Sequence, residues 1–309
     1  MAVLGILSES GIYIAQERGY FAQEGLAPEF VTMDSGARAL PALAASQVDV
    51  SGGSLSPAYL NAAARGLGMK IVAELNSNEP DGSSGYIVVR KDLTDSGVVR
   101  DWPDLRGMRA AVSARGSVVD YQLARGLGLG GLTINDVDVV EMSFPDMVPA
   151  FGNRSIDVAS MTEPLVTIAV ERGLATRWRS VGDYLPGEVP AIMSYSPEFL
   201  ANQPELGRRW VTAYLRGARD YNAAFKRGEG RDEVIQILAK HTNVKDTAIY
   251  DRMGLSTINP NGTVRLASLY DQQAWWGEQG FLQGSVDLET LVDSRFTEAA
   301  LQQLGRVEP

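Results

Sequence analysis

The chain has 309 residues, a length that suits two domains of ordinary size. Its 28 Lys and Arg residues are outnumbered by 38 Asp and Glu residues, and the net charge of −10 opposes binding to nucleic acid or to an anionic membrane surface. The absence of cysteine excludes disulfides, thiolate metal sites and a cysteine nucleophile. Because the sequence shows no cluster of metal-ligating residues, we expect neither a metal nor a cofactor.

The first part of the chain alternates between apolar strand patterns and helix patterns. Small residues mark the boundaries, as in the turn 8–11 and at Gly19. The predicted elements, in chain order, are strand 3–7, helix 13–21, strand 27–32, helix 36–46, strand 48–51, helix 55–65 and strand 69–75. Such a series predicts a mainly parallel sheet flanked by helices.

A second series of the same kind follows. An apolar strand at 86–89 leads into a polar stretch, and a new strand–helix series starts at 108–112 and ends after Gly173. The apolar segment 191–195 comes after an irregular loop, and we expect the chain to return there to the first lobe. Helices are predicted beyond it at 203–226, 232–241, 265–278 and 288–296.

These patterns predict an α/β protein of two lobes. Lobe 1 is expected to comprise residues 1–90 and 191–309, and lobe 2 residues 91–190. The chain then crosses between the lobes near residues 90 and 190, so the two connections are expected to form a hinge about which the lobes close.

An internal repeat supports the division into two similar lobes. Pro41-Ala42 and Asp49-Val50 are echoed 108 positions later by Pro149-Ala150 and Asp157-Val158. In both copies a helix pattern runs into a short apolar strand, a small-residue turn and a second helix. The repeat therefore predicts one strand–helix unit that is used once in each lobe.

Several short motifs, taken in order, resemble a known family. They are YIAQERGYF at 13–21, EGL at 24–26, QVDV at 47–50, DLRG at 104–107, TEP at 162–164, NPNG at 259–262 and WWGEQGF at 275–281. The pattern resembles the ABC-transporter solute-binding proteins of the nitrate/sulfonate/taurine type, which also include binders of thiamine-pyrimidine precursors. The resemblance covers almost the whole chain.

This resemblance implies a type II periplasmic-binding-protein fold, with a ligand cleft between two α/β lobes. It implies that the protein captures a small-molecule solute and delivers it to the membrane subunits of an ABC permease, without chemistry. We accordingly expect a monomer without a membrane span. It would be periplasmic or anchored at the cell envelope, with its export signal absent from this sequence.

Strand-to-helix turns are the expected ligand contacts, because unpaired backbone N–H groups and the positive helix end favour an anion there. The turn 113–117 is the leading candidate, since Arg115 could grip a carboxylate or sulfonate in bidentate fashion. The candidate ligand-binding residues are Ser10, Gly11, Gly53, Ser54, Asn76, Ser113, Arg115, Gly116, Ser117, Thr162, Glu163 and Tyr184.

Structural roles remain open for most of these residues. Ser113 or Ser117 could be an ordinary helix N-cap, and Glu163 could favour the start of a helix through its charge. Glu9 could face the ligand and welcome a cationic group, although an exposed surface carboxylate is the expected role. Trp275 and Trp276 are expected in the core.

An enzyme on the same scaffold is the alternative function, either a lyase or an enzyme of pyrimidine-precursor synthesis that acts on a pyrimidine or a small carboxylate. Glu163 or Glu9 would supply its acid–base chemistry, and an abnormal pKa at either would support it. The G-x-G-x-x-G match at 126–131 follows a helix pattern, so it indicates a helix end and not a dinucleotide site. The leading hypothesis is a binding protein for a small organic acid, a sulfonate or carboxylate that could be aromatic.

Overall fold

A computed structural model describes residues 1–33 and 36–308 and divides the chain into two compact units. The first unit comprises Met1–Ser77, Val189–Thr247 and Ile258–Pro309. The second comprises Asn78–Glu188 and Ala248–Thr257. The chain therefore passes between the units at four positions, two more than the sequence predicts.

Each unit is built on one mixed sheet. The strands of the first sheet are β1 (Ala2–Val3), β2 (Val31–Thr32), β3 (Val50–Gly53), β4 (Lys70–Asn78) and β10 (Glu188–Tyr195). Their spatial order is β2-β1-β3-β10-β4. Strand β1 is parallel to β2 and β3, and β10 runs antiparallel to β3 with Ile192 opposite Gly53.

The second sheet repeats this arrangement. Its strands are β5 (Gly85–Arg90), β6 (Arg109–Val112), β7 (Asp138–Glu141), β8 (Val158–Thr162) and β9 (Ala175–Ser180), in the order β7-β6-β8-β5-β9. Strand β6 is parallel to β7 and β8, and β5 runs antiparallel to β8 and β9. Because β3 and β8, the two strands of the sequence repeat, occupy equivalent places, the repeated unit is confirmed.

Helices flank both sheets. Those of the first unit are α1 (Ser10–Glu17), α2 (Tyr20–Gln23), α3 (Gly36–Ala44), α4 (Pro57–Ala64), α10 (Pro197–Asn202), α11 (Pro204–Arg227), α12 (Arg231–His241), α13 (Leu266–Glu278), α14 (Leu288–Leu291) and α15 (Arg295–Leu304). Those of the second unit are α5 (Lys91–Asp95), α6 (Val118–Leu129), α7 (Phe144–Gly152), α8 (Leu165–Glu171) and α9 (Val181–Tyr184). Within the described residues, no helix has the length and apolar character that crossing a bilayer requires.

Strand β1 ends at Val3, whereas the sequence predicts a strand as far as Leu7. The carboxylate of Glu9 accepts hydrogen bonds from the backbone N–H groups of Leu4, Gly5 and Ile6. These three groups cannot then pair with a neighbouring strand, so the chain leaves the sheet and forms a short 3₁₀ turn at Leu7–Glu9 before α1.

The predicted helix 288–296 is wrong in one respect, because the structure breaks it into α14 and α15. The backbone N–H of Asp293 donates to the carbonyl oxygen of Ile71 at 2.8 Å, which removes it from the helical ladder.

The predicted core position of Trp275 and Trp276 is confirmed, since these residues are only 4% and 0% exposed.

The predicted lobe boundary near residue 90 differs from the structural division at Ser77. Strand β5 belongs to the second unit because Gly85–Arg90 pairs with both β8 and β9. The segment Ala248–Thr257 also belongs to the second unit, although the sequence predicts that residues 191–309 all belong to lobe 1.

The glycine run at 126–131 ends α6 and packs against a tryptophan, in agreement with the predicted helix end. Gly130 is the C-cap residue and Gly131 has a φ of +68°. A Cβ atom on Gly126 would lie 2.2 Å from the ring of Trp102, a buried side chain of the second unit's core. The glycine at 126 therefore serves close packing.

Two alanine substitutions in α6 separate this packing role from helix propensity. Gly126→Ala should lower the free energy of unfolding by about 1–3 kcal/mol, because the methyl group overlaps the Trp102 ring. Gly128→Ala, where no atom lies within 4 Å of the added Cβ, should raise it by up to about 1 kcal/mol. Urea unfolding measures both, and equal effects would contradict the packing argument.

Candidate functional site

The carboxyl ends of parallel strands are where α/β sheets bind ligands. In the second unit this edge consists of the turn 113–117 after β6, Thr162 and Glu163 at the end of β8, and Ser83 and Ser84 just before β5. Gly85 lies opposite Thr162 in the register, so the start of the antiparallel strand β5 joins the same edge. We call these residues the carboxyl edge of the second unit.

Hydroxyl groups line this edge. The Thr162 hydroxyl donates to the carbonyl oxygen of Ser84 at 3.1 Å, and the Ser84 hydroxyl lies 2.5 Å from that of Ser256. In the turn after β6, the Ser113 hydroxyl donates to Ser117 at 3.4 Å. All five side chains are half-buried, so the edge offers neutral donors and acceptors at a partly exposed surface.

Arg115 does not present a bare guanidinium, which changes the role predicted for it. Its Nη1 lies 3.2 Å from the carboxylate of Asp120, whose side chain is fully buried. The Gly116 N–H donates to the same carboxylate at 2.8 Å, and the Arg115 N–H donates to Glu141 at 2.9 Å. Burial raises the pKa of Asp120. The turn predicted to hold an external anion therefore holds carboxylates of the chain itself.

Ser117 has the structural role left open by the sequence. Its hydroxyl accepts a hydrogen bond from the Asp120 N–H at 3.3 Å, and Ser117 is the N-cap residue of α6. Its own hydrogen is donated to the carbonyl oxygen of Ala114 at 2.7 Å. Capping thus accounts for the serine at this position.

Glu163 is enclosed by donors of the second unit. Oε2 accepts from the Thr167 N–H at 2.9 Å and the Thr167 hydroxyl at 2.7 Å, while Oε1 accepts from Arg177 at 2.7 Å and from the Gly254 N–H at 3.1 Å. Its side chain is fully buried. The carboxylate therefore fixes the start of α8 and two further segments, and does not reach the surface of the edge.

In the first unit, the carboxylate of Glu9 is likewise enclosed by hydrogen-bond donors of its own unit. The expected exposed position is wrong, because Glu9 is fully buried and also accepts from the Tyr13 hydroxyl at 2.6 Å. Burial raises the pKa of Glu9, against the opposing effect of the Tyr13 and backbone donors. A raised pKa is the signature expected of an acid–base carboxylate, but no part of this one is exposed to a solute.

The other candidate residues of the first unit are Ser10 and Gly11 at the start of α1, Gly53 and Ser54 at the end of β3, and Asn76 in β4. The Ser10 hydroxyl donates to the Leu7 carbonyl oxygen, and a Cβ on Gly11 would lie 2.9 Å from the Tyr214 ring, so Gly11 serves helix packing. Gly53 ends β3, and no atom lies within 4 Å of the position that a Cβ would take there. Ser54 is exposed. Asn76 is buried within β4.

Tyr184 belongs to the core of the second unit and not to an irregular loop. It ends α9, its ring packs edge-on against Trp102 at 5.2 Å between centroids, and its hydroxyl donates to the Gln122 carbonyl oxygen at 3.1 Å. These contacts account for the aromatic residue at position 184.

The predicted ligand cleft between two lobes, with its hinge closure, stays a prediction.

A buried carboxyl that the sequence did not single out lies where the chain enters and leaves the second unit. Oε2 of Glu188 accepts from Asn78 at 2.7 Å and from Gln122 at 3.2 Å. Among the described residues, nothing donates to its other oxygen, which is also buried. Burial raises the pKa of Glu188 to about 7, although the two amide donors act in the opposite direction.

Glu188 should make stability depend on pH. A folded pKa of about 7 against an ordinary 4.5 means that folding favours the protonated form. The resulting stabilisation is complete below pH 4.5 and is lost as the pH rises through 7. Glu188→Gln, which stays neutral, should therefore exceed the wild type in unfolding free energy by about 3 kcal/mol at pH 8 and by about 1 kcal/mol at pH 5.

Denaturant unfolding across this pH range measures the difference, with Glu278→Gln at the exposed end of α13 as the control. A difference between Glu188→Gln and the wild type that stays constant from pH 5 to pH 8 would contradict the assignment.

In the described part of the chain, no three His, Asp or Glu side chains come together in a way that could hold a metal ion.

A family model described as NMT1/THI5 like matches residues 8–224 of this chain. A protein of Brucella abortus (strain 2308), named as a binding protein, is 28% identical over 251 residues, which cover 81% of this chain and 70% of that protein. A protein of Bacillus subtilis (strain 168), named as an aliphatic sulfonates-binding protein, is 25% identical over 307 residues, covering 96% of this chain and 86% of its own length.

Solved structures share the fold across nearly the whole chain. The periplasmic aliphatic sulphonate binding protein SsuA from Escherichia coli has a TM-score of 0.73 at 19% identity, covering 95% of this chain and 92% of its own. The periplasmic nitrate-binding protein NrtA from Synechocystis PCC 6803 has a TM-score of 0.74 at 16% identity, covering 98% and 88%. The desulfurization enzyme DSZB has a TM-score of 0.69 at 17% identity, covering 95% and 96%. The predicted periplasmic-binding-protein fold is thus confirmed.

Proposed function

The chain belongs to the NMT1/THI5-like family, and we propose that it is the solute-binding component of an ABC importer. It captures a small organic acid outside the cytoplasmic membrane, in the periplasm or anchored at the envelope, and delivers it unchanged to the permease subunits. The names of its relatives as binding proteins, one of them for aliphatic sulfonates, support this function.

The observation that carries a binding function is the enclosure of the candidate catalytic carboxylates. Glu163 and Glu9 each accept four or more hydrogen bonds from their own unit. A general base must have an oxygen free to meet the proton of its substrate. Both carboxylates are committed to hydrogen bonds within their own unit. The hydroxyls of the carboxyl edge then have neither of these carboxylates available as a base to activate them, and their role is to bind the solute.

The same edge favours an organic acid over a bare inorganic oxyanion. Backbone N–H groups at strand–helix turns are the usual cradle for small oxyanions, but here Asp120 and Glu141 already accept from Gly116 and Arg115. The Ser84 hydroxyl can donate to a sulfonate or carboxylate oxygen, because its contact with Ser256 leaves either hydroxyl able to act as the donor. The organic part of the solute then supplies the apolar contact area on which binding of small ligands depends.

An enzyme is the second candidate, because the desulfurization enzyme DSZB shares the fold and the pKa of Glu9 is raised. One experiment separates the two functions. Purified protein is screened by thermal shift against sulfonates, aliphatic and aromatic carboxylates, pyrimidines, nitrate and sulfate, and each solute that shifts the melting temperature is then recovered and analysed by mass spectrometry.

At least one organic acid should stabilise the protein and be recovered unchanged. A solute at about a hundred times its dissociation constant adds about 2.7 kcal/mol to the free energy of unfolding. Ser84→Ala should weaken that effect, whereas Ser155→Ala, at an exposed site on the same unit, should not. Consumption of the solute would show an enzyme, and stabilisation by nitrate or sulfate alone would contradict the organic-acid assignment.

A further inference from the structure

A ten-residue segment from the C-terminal half of the chain is built into the second unit. Residues Ala248–Thr257, which we call the strap, belong to this unit, whereas Val189–Thr247 before it and Ile258–Pro309 after it belong to the first. The strap begins in the 3₁₀ turn Thr247–Asp251 and ends beside the carboxyl edge. Its contacts with the second unit are specific enough to suggest a function.

Glu163 and Arg177 hold the middle of the strap. The Gly254 N–H donates to Oε1 of Glu163 at 3.1 Å, and Nη2 of Arg177 donates to the Arg252 carbonyl oxygen at 3.0 Å. The same Nη2 lies 2.7 Å from Oε1 of Glu163. The carboxylate and the guanidinium thus neutralise each other and grip two backbone groups of the strap. Hydrogen bonds to charged groups are among the stronger ones in proteins.

The strap also packs closely against the segment before β5, at Gly254 and at Thr257. A Cβ on Gly254 would lie 2.2 Å from the Tyr86 hydroxyl oxygen and 2.4 Å from the Ser83 carbonyl oxygen. A Cβ on Gly82 would lie 2.4 Å from the Thr257 hydroxyl oxygen. Both glycines permit an approach that any other residue would prevent, so the backbone of the strap lies directly against the start of β5.

The strap ends at the group that lines the carboxyl edge. The Ser256 hydroxyl lies 2.5 Å from that of Ser84. The carbonyl oxygen of Ser84 in turn accepts from the Thr162 hydroxyl at 3.1 Å and from the Glu163 N–H at 2.9 Å. Ser84 therefore connects the strap, strand β5 and the end of β8. Ser84 is a half-buried residue, so this part of the edge is not closed off from solvent.

We propose that the strap is a clasp for the solute: Ser84 contacts the acid group of the solute, Ser256 orients the Ser84 hydroxyl, and Glu163 and Arg177 hold the strap in place. This inference rests on the proposed binding function. Glu163, Arg177 and Ser256 are positioning residues. In this arrangement the Ser256 hydroxyl donates to the Ser84 oxygen, and the Ser84 hydrogen is donated to the acid group of the solute. The docked strap and the solute then favour the same orientation of the Ser84 hydroxyl, so binding of the one stabilises the other, and the coupling is reciprocal.

Trypsin reports directly on whether the strap is docked. Arg252 lies within the strap with 45% of its side chain exposed, and cleavage after it requires the local backbone to leave the second unit. When opening is fast, the cleavage rate follows the population of the open state. The rate of cleavage between Arg252 and Met253, followed by mass spectrometry on the whole ligand-free protein, therefore measures docking without any solute.

Arg177→Gln should raise this cleavage rate about tenfold or more, because it removes a charge-assisted grip. Arg179→Gln is the matched control, since Arg179 lies two residues along β9 and contacts Arg100 and Asp101 instead of the strap. Ser256→Ala should raise the rate by a smaller factor. Melting temperatures taken on the same samples show that all variants are folded. An Arg177→Gln rate equal to that of Arg179→Gln would overturn the clasp.

A second arm tests the coupling to the solute, with ethanesulfonate and benzoate as probes. A probe that raises the melting temperature of the wild type should slow cleavage after Arg252, and Ser84→Ala should abolish this protection. Stabilisation without protection would overturn the coupling and leave the binding function intact. If neither probe stabilises the protein, binding of these acids fails, whereas the ligand-free rates still decide whether the strap is docked as proposed.

Discussion

Much of this structure depends on one constraint, namely that a carboxylate taken out of water must find hydrogen-bond donors inside the protein. Leaving such a group without them costs several kcal/mol. Five carboxyl side chains are buried in the described part of the chain, Glu74 being one of them. The other four accept hydrogen bonds from named donors: Glu9, Asp120, Glu163 and Glu188. Glu9 holds the turn before α1, and Asp120 holds the turn after β6. Glu163 holds the strap, and Glu188 joins the start of β10 to Asn78 at the end of β4.

The constraint also shapes what the protein can bind. A turn whose N–H groups are committed to an internal carboxylate has little to offer a small inorganic anion. What remains at the carboxyl edge of the second unit is a set of hydroxyls held by short contacts, chiefly at Ser84, Thr162 and Ser256. Such a surface suits a solute that brings its own apolar area and needs only a few oriented hydrogen bonds for its acid group.

The sequence predicted well wherever local chemistry decides the structure. The long helix α11 (Pro204–Arg227) begins and ends within one residue of its predicted bounds, because Pro at the start and Gly228 after the end are strong boundary signals. The repeated strand–helix unit was visible in the positions of Asp49 and Asp157. The fold class followed from these patterns together with the family resemblance.

The sequence failed where a distant group decides. Glu9 is a different case, because its donors lie only three to five positions away, and the sequence pattern does not show that the backbone turns back onto its carboxylate. The sequence does not predict the strap, because its partners Glu163 and Arg177 lie 91 and 75 positions away from the backbone groups that they hold. Arg115 lies at a strand–helix turn as predicted, but the sequence pattern does not show that its guanidinium meets Asp120 in the first turn of α6.

The central claim is that the chain holds an organic acid at hydroxyls of the second unit and leaves it chemically intact. The most direct measurement is a crystal structure with the acid that stabilises the protein most. In that structure an acid oxygen should lie within hydrogen-bond distance of the Ser84 hydroxyl, with Ser256 still in contact with Ser84 and Glu163 still bonded to Gly254. A solute that touches the carboxylate of Glu163 or Glu9, or that displaces Asp120 from the turn after β6, would contradict it.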